Sequence, residues 1–388
     1  MDGYRSFALS PQVLRWARER VGLSEVQLAE KMGVKSVRIE SWEQDGKIST
    51  KQTQKLAKIA RAPLGCLYLR EPVEDKLPIA DFRAMRGEQS KKPSPNLMSA
   101  VYSMQRRQAW MRMNVIEMGH EKLPFVASMR NQKEPEKIAA DMRRTLGLQE
   151  GWAKKEGTLS DALKVLRNRV EEAGILIFFN GVVGNNNYRK LDSKEFQGFA
   201  LVDDYAPLIF VNSTDYESAR IFTVAHELAH LWRGKQGVSN YLAGIEQRSE
   251  EERLCNKIAA AFLIPQREIQ DCWDDSKHVG GNLAALTRQF KTSGIALAIR
   301  ALEMNLIKHR DFDGWYEKWE VMEKRREADA SKGGDFWKTQ NSRIGKLFGS
   351  AVLHAVRDGR LLYKEAYSLT DLHGQTFDKF EQALEQTL

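Results

Sequence analysis

Cysteine is scarce. The 388 residues hold three, Cys66, Cys255 and Cys272, with no Cys-x-x-Cys spacing among them. An odd, widely spaced set excludes a disulfide framework and a thiolate metal cluster, and a chain of this length buries a sizeable core without staples. Long apolar runs are missing as well: none approaches the roughly 18 residues that a membrane span requires. The opening residues, MDGYRSFALS, carry no basic-then-apolar leader pattern. Internal repeats and low-complexity tracts are also lacking, which excludes solenoids and disordered arrays. The expectation is a cytoplasmic protein in reducing surroundings with no membrane partner.

Acidic residues are outnumbered, giving a net charge of +8, and the excess is unevenly placed. Residues 1–75 carry 13 basic and 10 acidic side chains, whereas 76–130 carry 10 and 4. Arg106, Arg107 and Arg112 belong to this basic stretch. Such a segment reads either as a phosphate-binding surface or as a solvated helix face.

Glycine and proline punctuate the chain into four parts. Residues 1–71 hold short helices. Ser10-Pro11 opens the first, Ser24 and Gly33 bound the second, a third runs from about Lys35 to Glu43 before Asp45-Gly46, and a fourth starts at Ser49 or Thr50. Helices this short, separated by single glycines, read as a helix-turn-helix bundle. Residues 72–135 begin as a proline-rich linker and continue as helix. Between 136 and 300 the signals mix: a helix capped at Ser160, strand candidates at 175–179, 199–202 and 207–211, then helix from Tyr216 onward. Residues 301–388 read as helical. Their Trp315, Tyr316, Trp319, Phe348, Tyr363 and Tyr367 are spaced as a core or as a recruiting surface. The fold class is mainly α with a small α+β domain.

The sharpest motif is TVAHELAHLW (223–232). Histidines at i and i+4 share one helix face, so the imidazoles of His226 and His230 can bind one zinc ion together. Glu227 lies beside them, placed to take a proton from the water that such a metal activates. A hydrolytic site needs a third protein ligand. The acidic helix SEEERLCNKIAAAFLIP (249–265) offers Glu252, with Glu250 and Glu251 as competitors on other faces. Asn256, four residues on, is read as accepting the ring N–H of a ligating histidine. Arg220, Tyr216 and Tyr241 stand near enough in sequence to be considered for stabilising an oxyanion. The strand PLIFVN (207–212) reads as a sheet edge open to an extended substrate or as an ordinary core strand.

These residues resemble the ImmA/IrrE-type (DUF955) zinc metallopeptidases that carry an N-terminal Xre-family helix-turn-helix. The likeness rests on LRWARERVGLSEVQLAEKMGV (14–34), WEQDGKIST (42–50), PIADFR (78–83), FTVAHELAHLW (222–232) and ERLCNKIAAAFLIP (252–265). Cys255 stands where that family's Glu-x-x-Ala-Asn signature has alanine. The resemblance implies a gluzincin-like fold for 136–300 and a Zn2+ cofactor. It also implies cleavage of a repressor or antitoxin-like protein in stress, mobile-element or phage-defence regulation.

In the Xre-type module the third helix would present Lys35, Ser36, Val37, Arg38 and Ser41 to double-stranded DNA. The same bundle would alternatively dock on protein. The rival to the peptidase is a DNA-binding regulator or antitoxin whose zinc site is dormant or structural. An oligomer is compatible with either.

Overall fold

Local capping chemistry sets the first helices. The structure, a computed structural model, describes residues 6–74, 76–81, 92–239, 249–329 and 342–385. Helix α1 (Pro11–Glu19) starts on its proline, and α2 (Glu25–Met32) on a reciprocal box in which Ser24 and Gln27 each accept the other's backbone N–H. Gly33, at φ 69°, ends α2, and α3 (Ser36–Asp45) follows. Gly46 closes α3 at φ 70°, where any Cβ would collide with the Leu9 carbonyl. Strand β1 (Ser6–Ala8) pairs antiparallel with β2 (Lys47–Ser49), and Ser49 caps α4 (Thr50–Ala60). Val13, Leu14, Leu28, Ile39, Trp42 and Leu56 fill the core of this bundle. Buried Glu43 accepts two hydrogen bonds from Arg18, at 2.6 and 2.8 Å.

By its internal contacts the chain separates into two compact units, Met1–Pro78 with Lys91–Val101, and Ile79–Ser90 with Tyr102–Leu388. The second unit is organised by a five-stranded mixed sheet. It contains β3 (Ala80–Asp81), β4 (Leu176–Asn180), β7 (Gly198–Leu201), β8 (Leu208–Asn212) and β9 (Gly237–Ser239), in the order β3-β9-β7-β8-β4. A separate hairpin joins β5 (Val182–Val183) and β6 (Asn186–Lys190). Strands β4 and β8 are parallel neighbours and buried along their whole lengths, which explains their unbroken apolar sequences LIFFN and LIFVN. Alternation sorts their side chains to two covered faces. Ile177, Phe179, Ile209, Val211 and Ala200 join the main core. On the other face Phe178 meets Phe348 edge to face, and Phe199 stacks on Phe210.

Helices complete the unit. The long α5 (Pro95–Glu117) straddles the division; from its second half Gln108 donates to the Leu201 and Ala206 carbonyls. Then come α6 (Pro135–Thr145), α7 (Leu159–Glu172), α8 (Glu217–Arg233), α9 (Glu250–Leu263), α10 (Gln266–Cys272), α11 (Val279–Phe290), α12 (Gly294–Glu303) and α13 (His309–Asp329). The C-terminal group is α14 (Lys346–Arg357), α15 (Tyr363–Thr370) and α16 (Gln375–Glu385). This is a mainly helical chain with a small mixed sheet. Among the described residues no helix is long and apolar enough to cross a membrane.

Three local expectations shift. Thr158, not Ser160, caps α7: its hydroxyl accepts from Asp161 N while the Asp161 carboxylate accepts from Thr158 N. Strand β8 is no open edge, because β7 and β4 flank it. Strand β9 interrupts a stretch expected to be helical throughout. Three residues are too few to display an alternating pattern, so only pairing with β7 and β3 defines it.

Candidate metal centre

Helix α8 carries the centre and is enclosed by its neighbours. It packs on β7, β8, α6, α7 and α9, so from Ile221 to Arg233 every residue is buried. Its start is fixed by Arg220, which donates to the Asp215 and Ser213 carbonyls at 2.7 and 2.8 Å. Its end is held by a strap. Ala127 N and Met129 N donate to the Leu231 and Trp232 carbonyls, and Trp232 stacks on Phe125 while donating to Asp141. Arg233 locks the strap by donating to the carbonyls of Met129, Arg130 and Gln132, and grips Glu251 through two further bonds of 2.8 and 3.1 Å.

Inside this frame three ligand-type side chains converge. His226 Nε2 lies 3.0 Å from His230 Nε2, and the two oxygens of Glu252 divide between the rings, Oε2 at 3.3 Å from His226 Nε2 and Oε1 at 3.0 Å from His230 Nε2. Four donors set tetrahedrally at zinc-like bond lengths stand about 3.3 Å apart, so the spacings among these side chains are of the size such a site needs. The chemistry fits as well: two imidazoles and the Glu252 carboxylate, with Glu227 beside them and all buried, form a charged cluster that a divalent cation balances. The three residues are positioned to hold a metal ion.

The carboxylates are told apart by their surroundings. Burial opposes ionisation of Glu252, but His226 and His230 outweigh it and hold its pKa below the ordinary carboxylate range. Burial pushes Glu227 up to about 8, opposed by His230 and reinforced by Glu252. For His230, burial disfavours the charge, yet Cys255 and Glu252 outweigh it and keep the pKa well above the usual imidazole value. Of the two carboxyls, Glu227 therefore holds a proton more readily and Glu252 stays ionised.

Of the expected residues, His226, His230 and Glu252 meet at one point and Glu227 lies beside them. The competitors separate cleanly: Glu251 is taken by Arg233 and Glu250 is exposed. Asn256, expected to accept the ring N–H of a ligating histidine, does not do so in this structure: its side-chain oxygen meets no donor among the described residues, and His230 Nδ1 faces the Cys255 thiol at 3.6 Å. Arg220 is committed to backbone carbonyls, and Tyr241 lies outside the described residues.

Two contributors carry no motif signal. Gly198 on β7 lies against the motif helix: a Cβ there would stand 2.7 Å from Thr223 Cγ2 and 3.0 Å from Glu227 Oε1. Ser239 on β9 is fully buried and brings its hydroxyl within 3.4 Å of His230 Nε2, while neither Glu227 oxygen meets a hydrogen-bond donor among the described residues.

On the first unit, Lys35, Val37 and Arg38 are exposed on or just before α3, whereas Ser36 and Ser41 are half-buried. Val37 leaves 68% of its surface in solvent.

Residues 170–302, about a third of the chain, match the IrrE N-terminal-like domain of the M78 peptidase family. The match runs from the end of α7 to α12 and includes every residue of the centre. Residues 344–383 match a domain of unknown function (DUF8813). No curated protein matches the chain.

Proposed function

We propose that this protein is a zinc-dependent endopeptidase that cleaves a protein partner of the repressor or antitoxin type. The observation that carries the peptidase reading is the Glu227 carboxylate, buried beside the ligand triangle and outside it. A purely structural metal site has no use for a second buried carboxylate there.

In this reading His226, His230 and Glu252 hold the metal. Zinc, when bound, supplies a Lewis acid that activates water and polarises the scissile carbonyl. Glu227 accepts the proton released on attack and returns it to the leaving amine nitrogen. Gly198 leaves space for the Glu227 carboxylate, and the Ser239 hydroxyl lines the same centre beside His230. The buried setting keeps bulk water from competing for these bonds. The protein substrate and the regulatory setting rest on the family resemblance.

The test is co-expression of the full chain with candidate partner proteins, wild type against Glu227→Gln. Partner fragments with wild type alone support the proposal. An identical fragment pattern from both removes it.

A second reading concerns the first unit, and exposed Val37 between Lys35 and Arg38 favours it. An apolar side chain flanked by cations suits a major-groove contact, with Val37 on a thymine methyl and the cations on phosphates or guanine. Double-stranded DNA is then the partner of α3, and the peptidase acts in a regulator that also binds DNA.

A further inference from the structure

Helix α9 brings more to the centre than its carboxylate. Glu252 and Cys255 are three residues apart and share a face, and both turn toward His230. The Glu252 carboxylate stands 3.0 Å from Nε2, on the ligand side of the ring. The Cys255 sulfur stands 3.6 Å from Nδ1, on the opposite side, and is fully buried. One helix therefore grips both nitrogens of one imidazole.

A metal on Nε2 would fix the tautomer of this ring. A neutral imidazole that binds a metal through Nε2 keeps its proton on Nδ1, and that N–H needs an acceptor. Carboxylates, backbone carbonyls and water usually fill the role. At His230 the facing atom is Sγ, at a distance suited to a hydrogen bond to sulfur. Asn256 stands on the other side of Glu252, and its carboxamide oxygen meets no donor among the described residues.

We infer that Cys255 is a positioning residue for the metal centre: its sulfur accepts the Nδ1–H of His230, holding the ring in the orientation and tautomer that present Nε2 to the metal. This follows only if the triad holds a metal, as proposed above. Sulfur is a weak acceptor, so the contribution is mainly to ring orientation, and ligand basicity rises less than a carboxylate would raise it. The cysteine thus has a structural use unrelated to nucleophilic or thiolate-ligand chemistry, consistent with its complete burial.

The experiment compares full-length wild type, Cys255→Ala and Cys255→Ser. Zinc affinity is measured by chelator competition, and the ring protons of the zinc-loaded proteins are followed by long-range 1H–15N NMR. Loss of the acceptor in Cys255→Ala is expected to weaken zinc about 10-fold, the lower end for removing such a partner, and to move or broaden the His230 Nδ1–H resonance. Cys255→Ser restores an acceptor and is expected to recover both. Altered packing alone would leave the Nδ1–H signal in place. Equal affinity and an unchanged resonance in Cys255→Ala overturn the inference while leaving the metal reading intact. Failure of the wild type to take up zinc overturns both.

Discussion

Glu227 Oε1 lies over Gly198, so close that a Cβ on the strand residue would approach it to 3.0 Å. The same Cβ would meet the Phe210 carbonyl at 2.9 Å and Thr223 Cγ2 at 2.7 Å. A backbone carbonyl in the middle of a sheet cannot yield as a side chain can. Gly198→Ala should therefore destabilise the fold by about 1–3 kcal/mol, the range for overpacking a filled core, and displace Glu227. A lowered denaturant midpoint together with lost cleavage is the expected pair of results. Wild-type stability in the variant would show that the strand has room to spare.

Ser239, the register partner of Gly198 on β9, lines the same centre with its hydroxyl 3.4 Å from His230 Nε2. Ser239→Ala removes that hydroxyl but leaves His226, His230 and Glu252 in place. Zinc stoichiometry should persist while cleavage slows, about 10-fold if the loss is one hydrogen bond of roughly 1.5 kcal/mol. Loss of zinc in this variant would instead place Ser239 among the ligands.

Metal removal should reverse the pH response of stability. In the metal-free chain His230 has a raised pKa, so its contribution is complete below the ordinary imidazole value and fades as pH climbs through the folded one. In the loaded chain protons compete with metal for the imidazoles, so stabilisation grows as pH rises. At zinc concentrations 100 times the dissociation constant, the gain is about 2.7 kcal/mol. Thermal melts from pH 6 to 8, with and without chelator, should show slopes of opposite sign, and parallel slopes would contradict the assignment.

Arg233 ties the strap to α8 and α9. Arg233→Ala would leave three carbonyls and the Glu251 carboxylate without their donor. A cost of about 3 kcal/mol is expected, because three carbonyls and a carboxylate lose the one buried guanidinium that joins them. Urea unfolding measures it. A change below about 0.5 kcal/mol, the size of an ordinary surface substitution, would mean that water replaces the arginine.

For the first unit, Lys35→Ala with Arg38→Ala should weaken DNA binding across sequences and flatten its salt dependence by about one logarithmic unit for each phosphate no longer neutralised. Val37→Ala should act differently, changing sequence preference with little effect on the salt slope. Gel shifts at several salt concentrations separate the two. Binding by the double variant that matches wild type in strength and salt slope would remove α3 from the interface.

How much was legible in the sequence depended on whether the signal was local. Helix periodicity and caps follow from side chains a few residues apart, so α1 to α4 and α8 could be placed from Pro11, Ser24, Gly33, Gly46 and Ser49 together with the motif's own apolar spacing. The pairing of His226 with His230 is likewise local, since four residues make about one turn. Glu252 could be selected on helix α9, but its arrival at the two rings was decided by how α9 crosses α8.

The tertiary structure alone decided the rest. Cys255 and Asn256 flank the face that Glu252 presents, and a period of 3.6 residues allows either to meet His230; the packing of α9 on α8 selected the cysteine. Gly198 and Ser239 lie on short strands outside the motif, and only sheet pairing carries them to Glu227. By itself the sequence determined which side chains can do the chemistry, because residue type and helical spacing are written locally. Which of them meet, and which partner holds each in place, was decided by long-range packing, whose geometry no local pattern encodes.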